Sequence, residues 1–173
     1  TRAMIFCRTK RSTQRLADDL VDRGFAAASI HGDLNQFARE KALRRFREGR
    51  IDVLVATDVA GRGIDVEGVS HVINFECPED ESVYVHRIGR TGRAGASGVA
   101  ITFVDWQDLA RWKMINHSLG LPFEQPEESY STSPHLYHDL GIDPAAKGTI
   151  RPSKPHTSKR PDQSSPSKSA RAR

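Results

Sequence analysis

Along the first 120 positions, short solid apolar runs alternate with longer stretches that carry a helical stripe. Ala3 to Cys7 is wholly apolar, as a strand buried on both faces of a parallel sheet requires. From Ser12 to Arg23 the apolar positions are Leu16, Ala17, Leu20 and Val21, which is helical spacing, and Gly24 supplies the stop. Ala26 to Ile30 reads as a second strand. Asp33 then caps a helix that turns Ala38, Ala42, Leu43 and Phe46 inward before Gly49 ends it. Further strands follow at Ile51 to Ala56, His71 to Phe75 and Gly98 to Val104. Residues 57–70 leave room for a crossover but little for a full helix. Glu79 to Ile88 reads as a helix opened by Pro78, and Asp105 caps a last helix running to Leu119 and Gly120. Strands alternating with helices predict an α/β domain, a three-layer parallel sheet with helices on both faces.

Beyond Phe123 the periodicity fails. Seven of the nine prolines lie there, and the last 27 residues are almost wholly Ser, Pro, Lys, Arg, Ala and Thr. The chain therefore divides into a domain at 1–123, an acidic linker at 124–146 and a basic tail at 147–173. Net charges of +2, −5 and +7 sum to the overall +4, so the tail sets most of the basicity. Such a tail cannot bury enough apolar surface to offset its ordering entropy; disorder and a nonspecific electrostatic tethering role are expected. Within the linker, Leu136 to Ile142 is an apolar island, a docking segment or a solvated remnant. Cys7 and Cys77 end two strands and read as small core residues rather than a disulfide or metal pair; no metal site is expected. No apolar run approaches the roughly 18 residues needed to span a membrane, and a cytoplasmic chain is expected. Because the first residues already read as strand, Thr1 reads as the boundary of an excised segment.

The densest chemistry lies at His86-Arg-Ile-Gly-Arg-Thr-Gly-Arg-Ala-Gly95. Arg87, Arg90 and Arg93 recur every third position, and Gly89, Gly92 and Gly95 punctuate them. The planar guanidinium fork fits phosphate oxygens. Interleaved glycines let backbone approach a ligand and end the preceding helix, which leaves Arg90 and Arg93 in its exit loop. An exposed basic turn is the bland alternative.

These ten residues resemble motif VI of the DEAD-box RNA helicases. Ala56-Thr-Asp-Val-Ala-Gly-Arg-Gly-Ile-Asp65 resembles their motif V, His31-Gly-Asp33 with Gln36 and Arg39 their motif IVa, and Ile5 to Thr9 their motif IV. The order is the family's own and the likeness covers residues 1–123. No Gly-x-x-x-x-Gly-Lys-Ser/Thr loop and no Asp-Glu-Ala-Asp box occurs anywhere. The resemblance is thus to the second RecA-like domain alone, and a fragment lacking both motifs should be inactive by itself.

The resemblance implies ATP, with Mg2+ held by the first domain, and two sites. Thr57, Arg39, Gly32 and Gln36 would grip the backbone of single-stranded RNA. Arg90 and Arg93 would serve as arginine fingers on the ATP γ-phosphate, and Asp65 would contact its ribose. Arg62, His86 and Arg87 would line the closing interface with the missing N-terminal RecA-like domain. As a fragment the chain is expected to be monomeric. Gln36 stays open between RNA and a capping box with Asp33, and Asp58 could cap a short helical turn. Gly61 stands where the family commonly has Ala or Ser, which adds backbone freedom to motif V. With no cluster of aromatics evident, RNA affinity should be electrostatic and indifferent to sequence. The alternative is a non-catalytic RNA-binding or partner-docking module with a RecA-like fold, for which fingers aimed at a missing phosphate would be idle.

Overall fold

The computed structural model describes residues 2–64, 66–92, 95 and 97–146. Asp65, Arg93 and the basic tail 147–173 lie outside the described residues. Five strands, β1 (Ala3–Cys7), β2 (Ala27–Ile30), β3 (Val53–Thr57), β4 (His71–Asn74) and β5 (Val99–Thr102), form one parallel sheet in the order β2-β3-β1-β4-β5. Each strand is followed by helix or crossover: α1 (Lys10–Asp22), α2 (Gln36–Arg47), the four-residue α3 (Asp58–Gly61), α4 (Glu81–Ile88) and α5 (Leu109–Leu119).

Strict alternation along each strand divides the core in two. Met4, Phe6, Leu54 and Ala56 face one side with Phe46 of α2. Ile5, Cys7 and Val55 face the other with Ala17 of α1. On α1 the buried stripe includes Thr13, whose hydroxyl donates to the Thr9 carbonyl at 2.8 Å, whereas Val21 is 51% exposed. The inward face of α1 thus begins at polar Thr13 and does not extend to Val21, which the apolar pattern had placed on it.

Three helix starts differ from the sequence expectation. The cap of α2 is Asn35, which accepts from the Ala38 amide at 2.8 Å. Asp33 instead pairs with Lys10 at 2.8 Å, so the Asp33–Gln36 capping box does not form. Asp80 caps α4 by accepting from the Val83 amide at 2.7 Å, two residues beyond Pro78. Asp105 accepts from the amides of Gln107 and Asp108, closing a turn just ahead of α5.

Phe123 is tied to α5: the Trp112 indole donates to the Phe123 carbonyl at 2.8 Å, and the Phe123 amide donates to Asn116 at 3.0 Å. In the linker a short helix, α6 (Pro134–Asp139), spans most of the apolar island and is closed locally, with Tyr137 donating to the Ser131 carbonyl.

Both thiols are free and fully buried. Burial, followed by the Glu76 charge, pushes Cys7 up to about 11; burial, followed by Asp108, pushes Cys77 up to about 11. The fold favours the protonated thiols, so their contribution is whole below the unfolded value of 9.0 and is lost as pH rises toward 11. We expect negligible reaction with Ellman's reagent at pH 8 until denaturant is added. A loss of stability on the order of 2 kcal/mol per thiol should follow across that alkaline window, read from urea melts.

Candidate functional site

Ligands of open parallel sheets gather where strands end. Because β2, β3 and β1 are neighbours, their carboxyl ends bring Gly32, Thr57 and Thr9 to one rim. Gly32 is exposed, and a Cβ built there would meet nothing within 4 Å, so packing leaves that backbone open. Thr57 is 9% exposed and caps α3, its hydroxyl accepting from the Ala60 amide at 3.4 Å. Asp58 is therefore the first residue of α3 and not its cap. Arg39 reaches across from α2 and donates to the Ala60 carbonyl at 3.1 Å. Two expected site residues thus converge on α3, both through the Ala60 backbone. Gln36, exposed on the first turn of α2, donates to Glu40 at 2.8 Å.

A second depression lies between α3 and α4, with Gly61 and Arg62 on one wall and His86 and Arg90 on the other. Arg62 and His86 are exposed and Arg90 is half-buried. The Arg90 guanidinium turns back onto the segment after α3, donating through Nη1 to the Ile64 carbonyl at 3.0 Å and through Nε to the His86 carbonyl at 3.2 Å. Four of the residues expected at the ATP site and interface therefore enter this region from two elements. Of the four, Arg87 departs from its expected place.

Arg87 does not stand on the surface, as an interface role would require. Its side chain is 1% exposed. Nε and Nη2 form a fork on the Asp58 carboxylate at 2.6 and 2.7 Å, and Nη1 donates to Asn74 Oδ1 at 3.3 Å and to the Glu76 carbonyl at 2.9 Å. The guanidinium lies 5.5 Å from the Phe6 ring centroid. A buried charge is tolerated only when its donors are satisfied; here one arginine binds α4 to α3 and to the end of β4. Periodicity could not reveal this network, because Phe6, Asp58, Asn74, Glu76 and Arg87 meet only once the sheet is ordered. Aromatics also meet unexpectedly: Phe75 and Phe103, distant in sequence, stand edge to face with centroids 6.1 Å apart.

Residues 1–95 match the family described as "Helicase conserved C-terminal domain". A Geobacillus kaustophilus protein named "DEAD-box ATP-dependent RNA helicase CshA" is 57% identical over 123 residues, 71% of this chain and 26% of that protein. The chain thus spans about a quarter of the length of the curated relatives it matches. Among solved structures, Escherichia coli DEAD-box protein SrmB bound to regulator of ribonuclease activity A superposes with a TM-score of 0.68 at 37% identity, covering 77% of this chain and 82% of that one. Saccharomyces cerevisiae Dbp5 bound to RNA and ADP BeF3 gives 0.65 at 40% identity, covering 69% and 32%.

Proposed function

The chain belongs to the helicase conserved C-terminal domain family and is the C-terminal RecA-like domain of a DEAD-box helicase; from that premise we propose that it is the half of an ATP-dependent RNA helicase that grips RNA at its strand-end rim and completes an ATP site contributed by a first RecA-like domain. The observation that carries this reading is the convergence of Arg62, His86 and Arg90 on one depression beside α3, a helix that Arg39 and Thr57 of the rim also hold through Ala60.

On the rim, the open backbone at Gly32, the amide-rich start of α2 and the Arg39 guanidinium suit phosphate oxygens. Gln36, held by Glu40, is placed to contact the ribose-phosphate backbone. Bound ATP would supply a γ-phosphoryl group whose transfer to water spreads negative charge over its equatorial oxygens. Arg90 suits that charge: it is anchored by two carbonyls, which fixes its direction. Arg93 is its partner finger and Asp65 the ribose contact by their place in the matched motifs; Mg2+ falls to the first domain. Arg62 and His86 face the partner domain, and Arg87 supports them from beneath. The protein acts in the cytoplasm, and the isolated chain is monomeric. A purely RNA-binding module would not need Arg62 and Arg90 on a second depression between α3 and α4.

Arg39→Ala tests the RNA half. We expect several-fold weaker binding to single-stranded RNA, with the log–log salt slope shallower by about 0.7, as for one lost phosphate contact. Thermal stability should fall by no more than about 1 kcal/mol, since one part-buried hydrogen bond to the Ala60 carbonyl is lost. Unchanged affinity and slope would remove the rim from the mechanism.

A further inference from the structure

Helices do not cover the two halves of the sheet equally. On the face that carries Ile5, Cys7 and Val55, α1 packs across β1, β2 and β3. Over β4 and β5 no described helix takes its place, for α5 packs against α4 through Tyr84 and Trp112. On that face β4 and β5 present His71 and Ile73 beside Val99 and Ile101, and Phe75 and Phe103 follow one residue past the strands. Parallel pairing aligns Ile73 with Ile101 and continues past the strands, since the Phe103 amide donates to the Asn74 carbonyl. The isoleucines are half-buried, while Phe75 is 44% and Phe103 54% exposed. Ile73 packs against the cluster under α1, so this strip is an outward continuation of the core.

We propose that the Ile73–Phe75–Ile101–Phe103 strip is a docking surface for an amphipathic helix lying alongside α1. Width selects the occupant. Two strands spaced about 4.8 Å present a strip roughly 10 Å wide, the diameter of one helix. Apolar residues at i, i+3, i+4 and i+7 of a helix would fill it as the α1 stripe fills the neighbouring half. A second copy of the chain fits less well: four half-exposed side chains offer on the order of a few hundred Å2, short of the roughly 800 Å2 per partner in a stable complex. The basic tail has Ile150 as its one large apolar residue and cannot supply a stripe. Charge sets the flanks. Glu79, Asp80 and Asp105 are exposed just after the carboxyl ends of the same two strands, where Arg8 and Arg111 are the facing cations and both pair with Asp108. The remaining acidic excess disfavours a phosphate backbone and favours lysines or arginines beside the stripe. This surface is independent of the rim and of the α3–α4 cleft.

The test is NMR titration of the full chain with a 14-residue leucine–lysine amphipathic peptide, with a sequence-scrambled peptide as control. The expected result is shifts concentrated at Ile73, Phe75, Ile101 and Phe103 for the amphipathic peptide alone, with at least tenfold weaker binding to Phe103→Ser. Should that variant misfold, the wild-type shift map still decides. Equal shifts from the scrambled peptide, or shifts centred elsewhere, would overturn the proposal. So would any of three other coverings. A mass that rises with concentration while these residues shift identifies a second copy. Shifts there on deleting residues 147–173 identify the tail, and shifts there from an oligouridine identify RNA.

Discussion

Arg90→Ala, made in a protein carrying both RecA-like domains, is expected to lower RNA-stimulated ATP turnover by roughly a hundredfold or more. Removing one preorganised donor aimed at developing transition-state charge costs about 3 to 4 kcal/mol, and each 1.36 kcal/mol is tenfold in rate. The geometry explains why this arginine should matter beyond its charge. Its Nε and one Nη1 hydrogen are spent on the carbonyls of His86 and Ile64, which belong to α4 and to the segment after α3. Two hydrogen bonds therefore restrain the side chain before any ligand arrives, which reduces the rotamer entropy lost when the domains close. Arg90→Lys should also fail substantially, because an ammonium cannot hold two carbonyls in that fork and still present a planar face. RNA affinity without nucleotide should scarcely change, since Arg90 stands away from the rim. Single-turnover hydrolysis at saturating RNA separates chemistry from binding. Full turnover by Arg90→Ala would reduce the 86–95 stretch to a structural turn.

The layered fold was readable because solid apolar runs and helical stripes report burial directly. All five strands lie within a residue or two of the expected ranges. Helix starts were less readable, because several polar residues compete for one cap and the winner depends on tertiary partners. Lys10, far away in sequence, takes Asp33 and leaves the cap of α2 to Asn35. Likewise, motif spacing could bring Arg87 and Arg90 into one segment but could not tell which faces outward. On α4, Arg87 points with Tyr84 into the core, and His86 points out. The Phe75–Phe103 pair was invisible for the same reason: adjacency of β4 and β5 comes from topology, not from local pattern.

Arg87→Ala should be among the most damaging single substitutions in the domain. The arginine is buried and its carboxylate partner Asp58 is 24% exposed, so deletion leaves a largely desolvated anion with two lost hydrogen bonds, besides unpaired acceptors at Asn74 and Glu76. Breaking such a pair from one side costs about 3 to 5 kcal/mol, which for a domain of this size lowers Tm by roughly 10 to 20 °C. Arg87→Lys should recover only part, because one ammonium cannot span acceptors on α3, β4 and the loop after it. The charge can be separated from the packing by a pair of changes. Arg87→Met with Asp58→Leu removes both ions, keeps the volume over Phe6, and should melt well above Arg87→Ala, since a buried pair exchanged for apolar groups is often near neutral. The same double variant should nevertheless lose RNA-stimulated turnover in the two-domain protein, because α3 would be held to α4 by nonspecific contacts while Arg39 still holds its last turn and Arg90 the segment after it. Stability restored with turnover still lost would show that the arginine sets the position of α3. If Arg87→Ala instead shifts Tm by less than about 2 °C, the guanidinium is solvated and the clasp does not exist.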